Sequence, residues 1–168
     1  MANDQNSGHH QMSQASIEIT AVDPRIPEAL GLIRALSEEL AQRYDYADDG
    51  SGHFSPEDAL SPRSVFLIGR VEGRAVACGA FRPLEGDVAE VKRMFVVPEY
   101  RGRGYSKAIL TELERLARQH GYAAVRLETA ERQPEAIHLY QRSGYQRIPN
   151  FGIYSNSKRS VCFEKRLL

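Results

Sequence analysis

One stretch of the chain has residue types and spacing suited to binding a phosphate: Val96-Val97-Pro98-Glu99-Tyr100-Arg101-Gly102-Arg103-Gly104-Tyr105-Ser106. A strand-like run ends at Pro98, a turn with two glycines follows, and a helical pattern opens at Gly104. Backbone N–H groups without intrahelical partners converge at such a helix start, and the helix dipole favours negative charge there. Glycine lets the backbone approach a phosphate with no Cβ in the way. Arg101 and Arg103 add positive charge. A Walker loop needs Gly-x-x-x-x-Gly-Lys-Ser/Thr, which this stretch lacks. A dinucleotide loop needs Gly-x-Gly-x-x-Gly after the first strand of a parallel fold. Here Lys107 takes the third glycine's place, and the strands before it read as antiparallel hairpins.

The elements that must hold this loop are legible from periodicity. Residues 1–15 are polar and aperiodic and are expected to be a disordered tail, with residues 16–168 forming one domain. Ile17–Val22 alternates as a strand. Asp23-Pro24 suits a helix start, and Ile26, Leu30, Ile33, Leu36 and Leu40 recur at helical spacing to Tyr44. A loop with Asp45, Asp48 and Asp49 follows, and then Ser55-Pro56-Glu57-Asp58, a capping-box pattern for a short second helix. Val65–Val71, Ala75–Phe81 and Val88–Val97 read as a meander of three strands, with turns at Glu72-Gly73 and Pro83–Asp87. Gly104–His120 predicts a strong helix with Ile109, Leu113, Leu116 and Ala117 on one face and Glu114 paired to Arg118 on another. Ala124–Thr129 is a strand, Pro134–Ser143 a helix, and Tyr145–Ile148 and Ser160–Arg166 two closing strands. The third meander strand, the long helix and Ala124–Thr129 form a βαβ crossover, so those two strands should be parallel. The expected fold class is α+β, a mixed and mostly antiparallel sheet flanked by helices.

Bulk properties narrow the function. The 22 basic and 22 acidic side chains cancel, which gives no electrostatic case for nucleic acid or an anionic membrane as a partner. No apolar run approaches the ~20 residues of a bilayer span. The two cysteines, Cys78 and Cys162, sit in no metal-binding or CxxC pattern, so no metal is expected and a reduced, cytoplasmic location is the default. Each is read as a buried structural thiol, with a covalent cysteine route as the rival.

With these elements in place, Arg101-Gly102-Arg103-Gly104-Tyr105-Ser106 resembles the pyrophosphate loop of the GNAT superfamily, Gln/Arg-x-x-Gly-x-Gly/Ala, with Ser106 as the last small residue. Gln133-Pro134-Glu135-Ala136-Ile137-His138-Leu139-Tyr140, continued by Gly144-Tyr145, looks like the family's Asn-x-x-Ala-x-x-x-Tyr segment. The order of elements matches as well. The resemblance implies an N-acetyltransferase that takes acetyl-CoA as co-substrate and a primary amine as acceptor. A small molecule is the first expectation for that acceptor and a peptide N-terminus the second. It implies that the strand of Phe95, Val96 and Val97 splays from Ala124–Thr129 and pairs with the pantetheine arm. Arg101 to Ser106, Gln133, Ala136 and Tyr140 are the other implied cofactor contacts.

Two residues are implied in catalysis. Glu90, by its place on the strand before the loop, resembles the family's general base; the competing reading is an exposed strand residue. Tyr140 resembles the family's general acid at the thioester sulfur; the competing reading is a core aromatic in a helical stripe. An amine with pKa ~10.4 is mostly protonated at neutral pH, which is why a base helps, and a phenol near ~10 keeps a proton to donate. The loops 44–54 and 149–159, with Phe54, Phe151 and Tyr154, are expected to build the acceptor site. A non-catalytic acyl-CoA-binding module is the alternative function, and a homodimer is left open.

Overall fold

The computed structural model describes residues 16–44 and 53–168. The expected tail over residues 1–15 and the aspartates Asp45, Asp48 and Asp49 lie outside the described residues. The strands are β1 (Glu18–Ala21), β2 (Val65–Val71), β3 (Arg74–Glu85), β4 (Val88–Val96), β5 (Ala124–Ala130), β6 (Gln146–Ile148) and β7 (Ser160–Arg166). The α-helices are α1 (Pro27–Arg43), α2 (Tyr105–Gln119) and α3 (Pro134–Arg142). One mixed sheet runs in the order β1-β2-β3-β4-β5-β7-β6. Every neighbouring pair is antiparallel except β4–β5. The fold is α+β, and the parallel pair is the one that the crossover through α2 requires.

Two apolar layers flank the sheet. On one face, Ile109, Leu110, Leu113 and Ala117 of α2 and Tyr140 of α3 pack with Val76, Phe81, Val91, Val125 and Phe163. On the other, Ala29, Leu32 and Leu36 of α1 pack with Phe66, Ile68, Cys78 and Phe95. Each large side chain buried in this way contributes about 1.5–3 kcal/mol. Helix α2 stops where Gly121 turns at φ 82°. The Tyr122 N–H then reaches back to the Ala117 carbonyl at 3.0 Å, the 6→1 bond of a Schellman end.

Four local expectations are corrected. Helix α1 starts at Pro27; Asp23 instead closes a turn, its carboxylate accepting from the Arg25 backbone at 2.9 Å. The buried stripe of α1 is Ala29, Leu32 and Leu36, with Leu30 exposed, since residues spaced three and four apart share one helix face. Strand β3 runs on to Glu85 rather than turning at Pro83; the register shifts between Pro83 and Glu85, and a bulge accommodates a proline that cannot donate to the ladder. Glu114 is buried and bonded to Tyr145 and Lys165, which have more to offer a desolvated carboxylate than the Arg118 pair expected from helix spacing.

The second short helix is a 3-10 turn, Pro56–Leu60. Asp58 accepts the Ser55 N–H at 2.9 Å, the reaching-back half of a capping box.

Candidate active site

The site begins with a counting mismatch between two strands. From Cys78 to Ala80, β3 advances two residues, while its partner β4 needs three, from Phe95 to Lys92. The extra residue is a bulge, and Arg93 within it takes φ 60°, a conformation rare outside glycine. Gly79 lies opposite. A Cβ there would come within 2.8 Å of the Met94 sulfur and 2.7 Å of Ile109, so the bulge needs a glycine facing it. The bend carries β4 away from β5: their pairing covers only Val88–Val91 against Ala124–Leu127. Lys92 and Glu128 are the first residues past the last pair, and they stand at the apex of a V.

The V opens into a cleft of about 820 Å³, within the ~300–1,000 Å³ usual for small-ligand sites. Phe95, Val96, Arg101, Gly102, Gly104, Tyr105, Ser106, Gln133, Ala136 and Tyr140 all line it. Val97 and Arg103 do not. The Val97 N–H is spent on the Val76 carbonyl at 2.8 Å. Arg103 lies 5.0 Å over the Tyr100 ring and donates to the Glu99 carbonyl. Arg101 is anchored to the Val96 carbonyl at 2.8 Å and to Glu39 at 2.7 Å.

The phosphate end has the geometry that its sequence suggests. Gly102 and Gly104 have φ of 76° and 81°, and a Cβ on either would meet nothing within 4 Å. Open space beside left-handed glycines is room for a ligand. The helical ladder of α2 starts with the Ala108 N–H on the Gly104 carbonyl, so the amides before it lie outside that ladder. These features fit the pyrophosphate of acetyl-CoA.

Tyr140 is buried, with ring contacts to Tyr145 and Phe163 at 5.7 and 6.0 Å, yet it lines the cleft. Burial pushes its phenol up from the ordinary value, with a further push from Glu128, so the hydroxyl keeps its proton. Glu90 is only 3% exposed and is not among the cleft-lining residues. Its carboxylate takes two bonds from the Arg82 guanidinium, at 3.2 and 3.1 Å. Arg82 also holds Asp58 at 2.7 Å and the His53 carbonyl at 2.9 Å.

The other end of the cleft is lined by His53, Lys92, Glu128, Ile153, Tyr154, Ser157, Arg159 and Ser160. Lys92 Nζ donates to the Tyr154 hydroxyl at 2.5 Å. Burial lowers the Lys92 amine, opposed by Glu90. Burial also pushes Tyr154 well up, reinforced by Glu90 and Glu128. Of the three aromatics expected in the acceptor loops, Tyr154 faces the cleft, while Phe54 is buried against α1 and Phe151 backs Tyr154 edge-on at 5.5 Å. Lys92 and Glu128 are missing from the sequence reading. Nothing in a strand's own residues marks where its pairing with a distant strand ends.

Among the described residues, a seven-stranded mixed sheet splits at its one parallel pair, with a glycine-lined helix start at one side of the split. The sequence pattern of the Acetyltransferase (GNAT) family matches residues 31–145, and the chain belongs to that family. It is 33% identical over 154 residues to a protein named IAA acetyltransferase from Azospirillum brasilense, covering 90% of this chain and 99% of that one. A crystal structure described as an acyl-CoA N-acyltransferase, from Klebsiella pneumoniae, superposes with a TM-score of 0.75 at 33% identity, over 90% of this chain and 98% of that one. The PaiA N-acetyltransferase of Thermoplasma acidophilum, solved with coenzyme A, shares the fold at 19% identity with a TM-score of 0.67, over 90% and 99% of the two chains. The protein is therefore an acyltransferase. Among the described residues no helix is long and apolar enough to cross a membrane.

Proposed function

We propose that the chain transfers the acetyl group of acetyl-CoA to the primary amine of a small molecule, by direct attack within a ternary complex. The observation that carries this reading is the single cleft that joins the Gly102–Ser106 helix start to the polar end around Lys92 and Tyr154, with Tyr140 lining the wall between. Two substrates entering from opposite ends would meet at the split in the sheet. The loop and the first turn of α2 hold the pyrophosphate. The exposed edge of β4 past Val91 offers backbone groups to the pantetheine amides, as an added strand would receive them. An N–H of the same edge stabilises the carbonyl oxygen as charge develops. Tyr140, kept protonated by burial, donates to the sulfur as it leaves. Glu90 belongs to the proton-accepting side, but its carboxylate is clamped by Arg82 behind the cleft wall, so it acts as a nearby charge on Lys92 and Tyr154.

Neither cysteine competes for the chemistry. Both are buried. Burial pushes the Cys78 thiol up to about 12 and raises Cys162, whereas a nucleophile needs the thiolate.

Thiol release from acetyl-CoA, followed over a panel of L-lysine, spermidine, an aminoglycoside and a short peptide, tests the reading. Amine-dependent release is expected. CoA binding without release for any amine would favour a binding module instead.

A further inference from the structure

We infer that Lys92 is the group that takes the proton from the acceptor amine. The inference rests on the acetyl-transfer reading above and names the proton acceptor that Glu90 cannot be in person.

Three observations converge on Lys92. Its position is the first: it is the β4 residue immediately past the last β4–β5 pair, so it sits at the apex where the thioester and the acceptor nitrogen must meet, and it lines the cleft. The second is how its hydrogen bond is directed. The Glu90 carboxylate is close enough to the Tyr154 hydroxyl to hold its proton on. A carboxylate only accepts, so it favours the protonated phenol and leaves the phenol oxygen to accept. Tyr154 accepts from Lys92 at 2.5 Å. A neutral amine that spends one N–H on Tyr154 keeps its lone pair for the cleft. The third is the charge around it. Arg82 and Arg93 press the amine toward the neutral form, and Glu90 and Glu128 favour the ammonium. His53, edge-on to Tyr154 at 5.8 Å, and Arg159, which lines the same end of the cleft, are further titratable or charged neighbours among the described residues. Desolvation and two guanidiniums bring a lysine toward the operating pH, where a general base works best. The two carboxylates then receive the ammonium that forms.

The protons balance. The acceptor ammonium gives one proton to Lys92, and its freed lone pair forms the C–N bond at the thioester carbonyl. The C–S bond breaks, and the sulfur takes the Tyr140 proton. The second proton on the new amide nitrogen restores Tyr140. Lys92 returns its proton to water, so each turnover releases one proton with the amide and CoA thiol.

Lys92→Arg and Lys92→Met test this. An arginine keeps the charge and hydrogen-bond donors but cannot give up its proton. Both variants should bind CoA with the wild-type thermal shift, which shows them folded. With the best amine of the panel, both should lose about 10²–10⁴-fold in kcat/KM at neutral pH. The gap should close as pH approaches the acceptor's own pKa, where the amine needs no base. A Lys92→Arg enzyme with wild-type activity and an unchanged pH profile overturns the assignment, and loss of activity in Glu128→Gln alone would transfer the role to Glu128. Wild-type protein inactive with every amine would count against acetyl transfer itself. The Lys92 amine is readable even then: its NMR titration in the CoA-bound protein should lie below the ordinary ~10.4, and a value at or above it overturns the proposal.

Discussion

The Glu114 carboxylate, on the buried face of α2, accepts a 2.9 Å hydrogen bond from the Tyr145 hydroxyl. Its other oxygen takes Lys165 of β7 at 2.8 Å. One acidic side chain thus ties α2 to the last strand and to the segment entering β6. Glu114→Ala would leave a buried phenol and a partly buried ammonium without this partner. A loss of about 2–3 kcal/mol is expected, with the quarter-exposed Lys165 side chain holding it below the fully buried case. Glu114→Gln, which can still accept from Tyr145, should lose less. Urea unfolding of the two variants measures both, and equal losses would mean that the Tyr145 bond contributes nothing.

The phosphate end is tested at Gly104. CoA at 100 times its Kd should stabilise the wild type by about 2.7 kcal/mol through mass action, seen as a rise in Tm. Gly104→Asp points a carboxylate into the open space beside the α2 start and should abolish that rise. Gly104→Ala separates charge from strain: at φ 81° it should cost about 1–2 kcal/mol of stability and weaken CoA less. Normal CoA binding by the Asp variant would move the pyrophosphate elsewhere.

Tyr140→Phe removes one hydroxyl from a ring otherwise packed on Tyr145 and Phe163. Folding and CoA affinity should survive, while kcat falls by about 10²–10⁴-fold. Full activity would reduce Tyr140 to a core aromatic, and weaker CoA binding alone would make it a binding residue.

Glu90→Gln separates a direct base from a positioning residue. Glu90 raises the Lys92 amine, so deleting its charge should lower that pKa further. The rising limb of the kcat/KM profile, which needs neutral Lys92, should then move to lower pH. A uniform drop at every pH, with the limb in place, would make the Glu90 carboxylate itself the acceptor.

Both cysteines are buried and their thiols are raised. Iodoacetamide at pH 8 should label neither in the native protein and both after unfolding. Fast labelling with loss of acetyl transfer would reopen the covalent route.

The glycine turn and its helix were readable because both halves of that signal, the loop and the amphipathic pattern of α2, are local. So was the parallel β4–β5 pair, which follows from the handed crossover. The proton-accepting end was hidden. Glu90 reads as a strand residue like any other until Arg82, eight positions earlier, is seen across the β3–β4 pair. Lys92 and Tyr154 are 62 positions apart, and only the folded chain joins them. The bulge at Arg93 left no trace either, since an arginine at φ 60° is an outcome of tertiary packing and not of its own preference.

That bulge also resets which way β4 faces. Before it, the odd positions Ala89 and Val91 enter the layer under α2; after it, the even positions Met94 and Val96 do, and Phe95 goes to the α1 side. A one-residue slip exchanges the faces of everything beyond it. Losing a single codon at position 93 would remove the extra residue, leave Phe95 and Val96 on their present faces and straighten the strand against β5, closing the groove while both packing layers stay in place. Point substitutions here can drift in small steps, but changes of length cannot, so the lineage of this gene should vary its loops in length while keeping the spacing from Lys92 to Phe95 fixed.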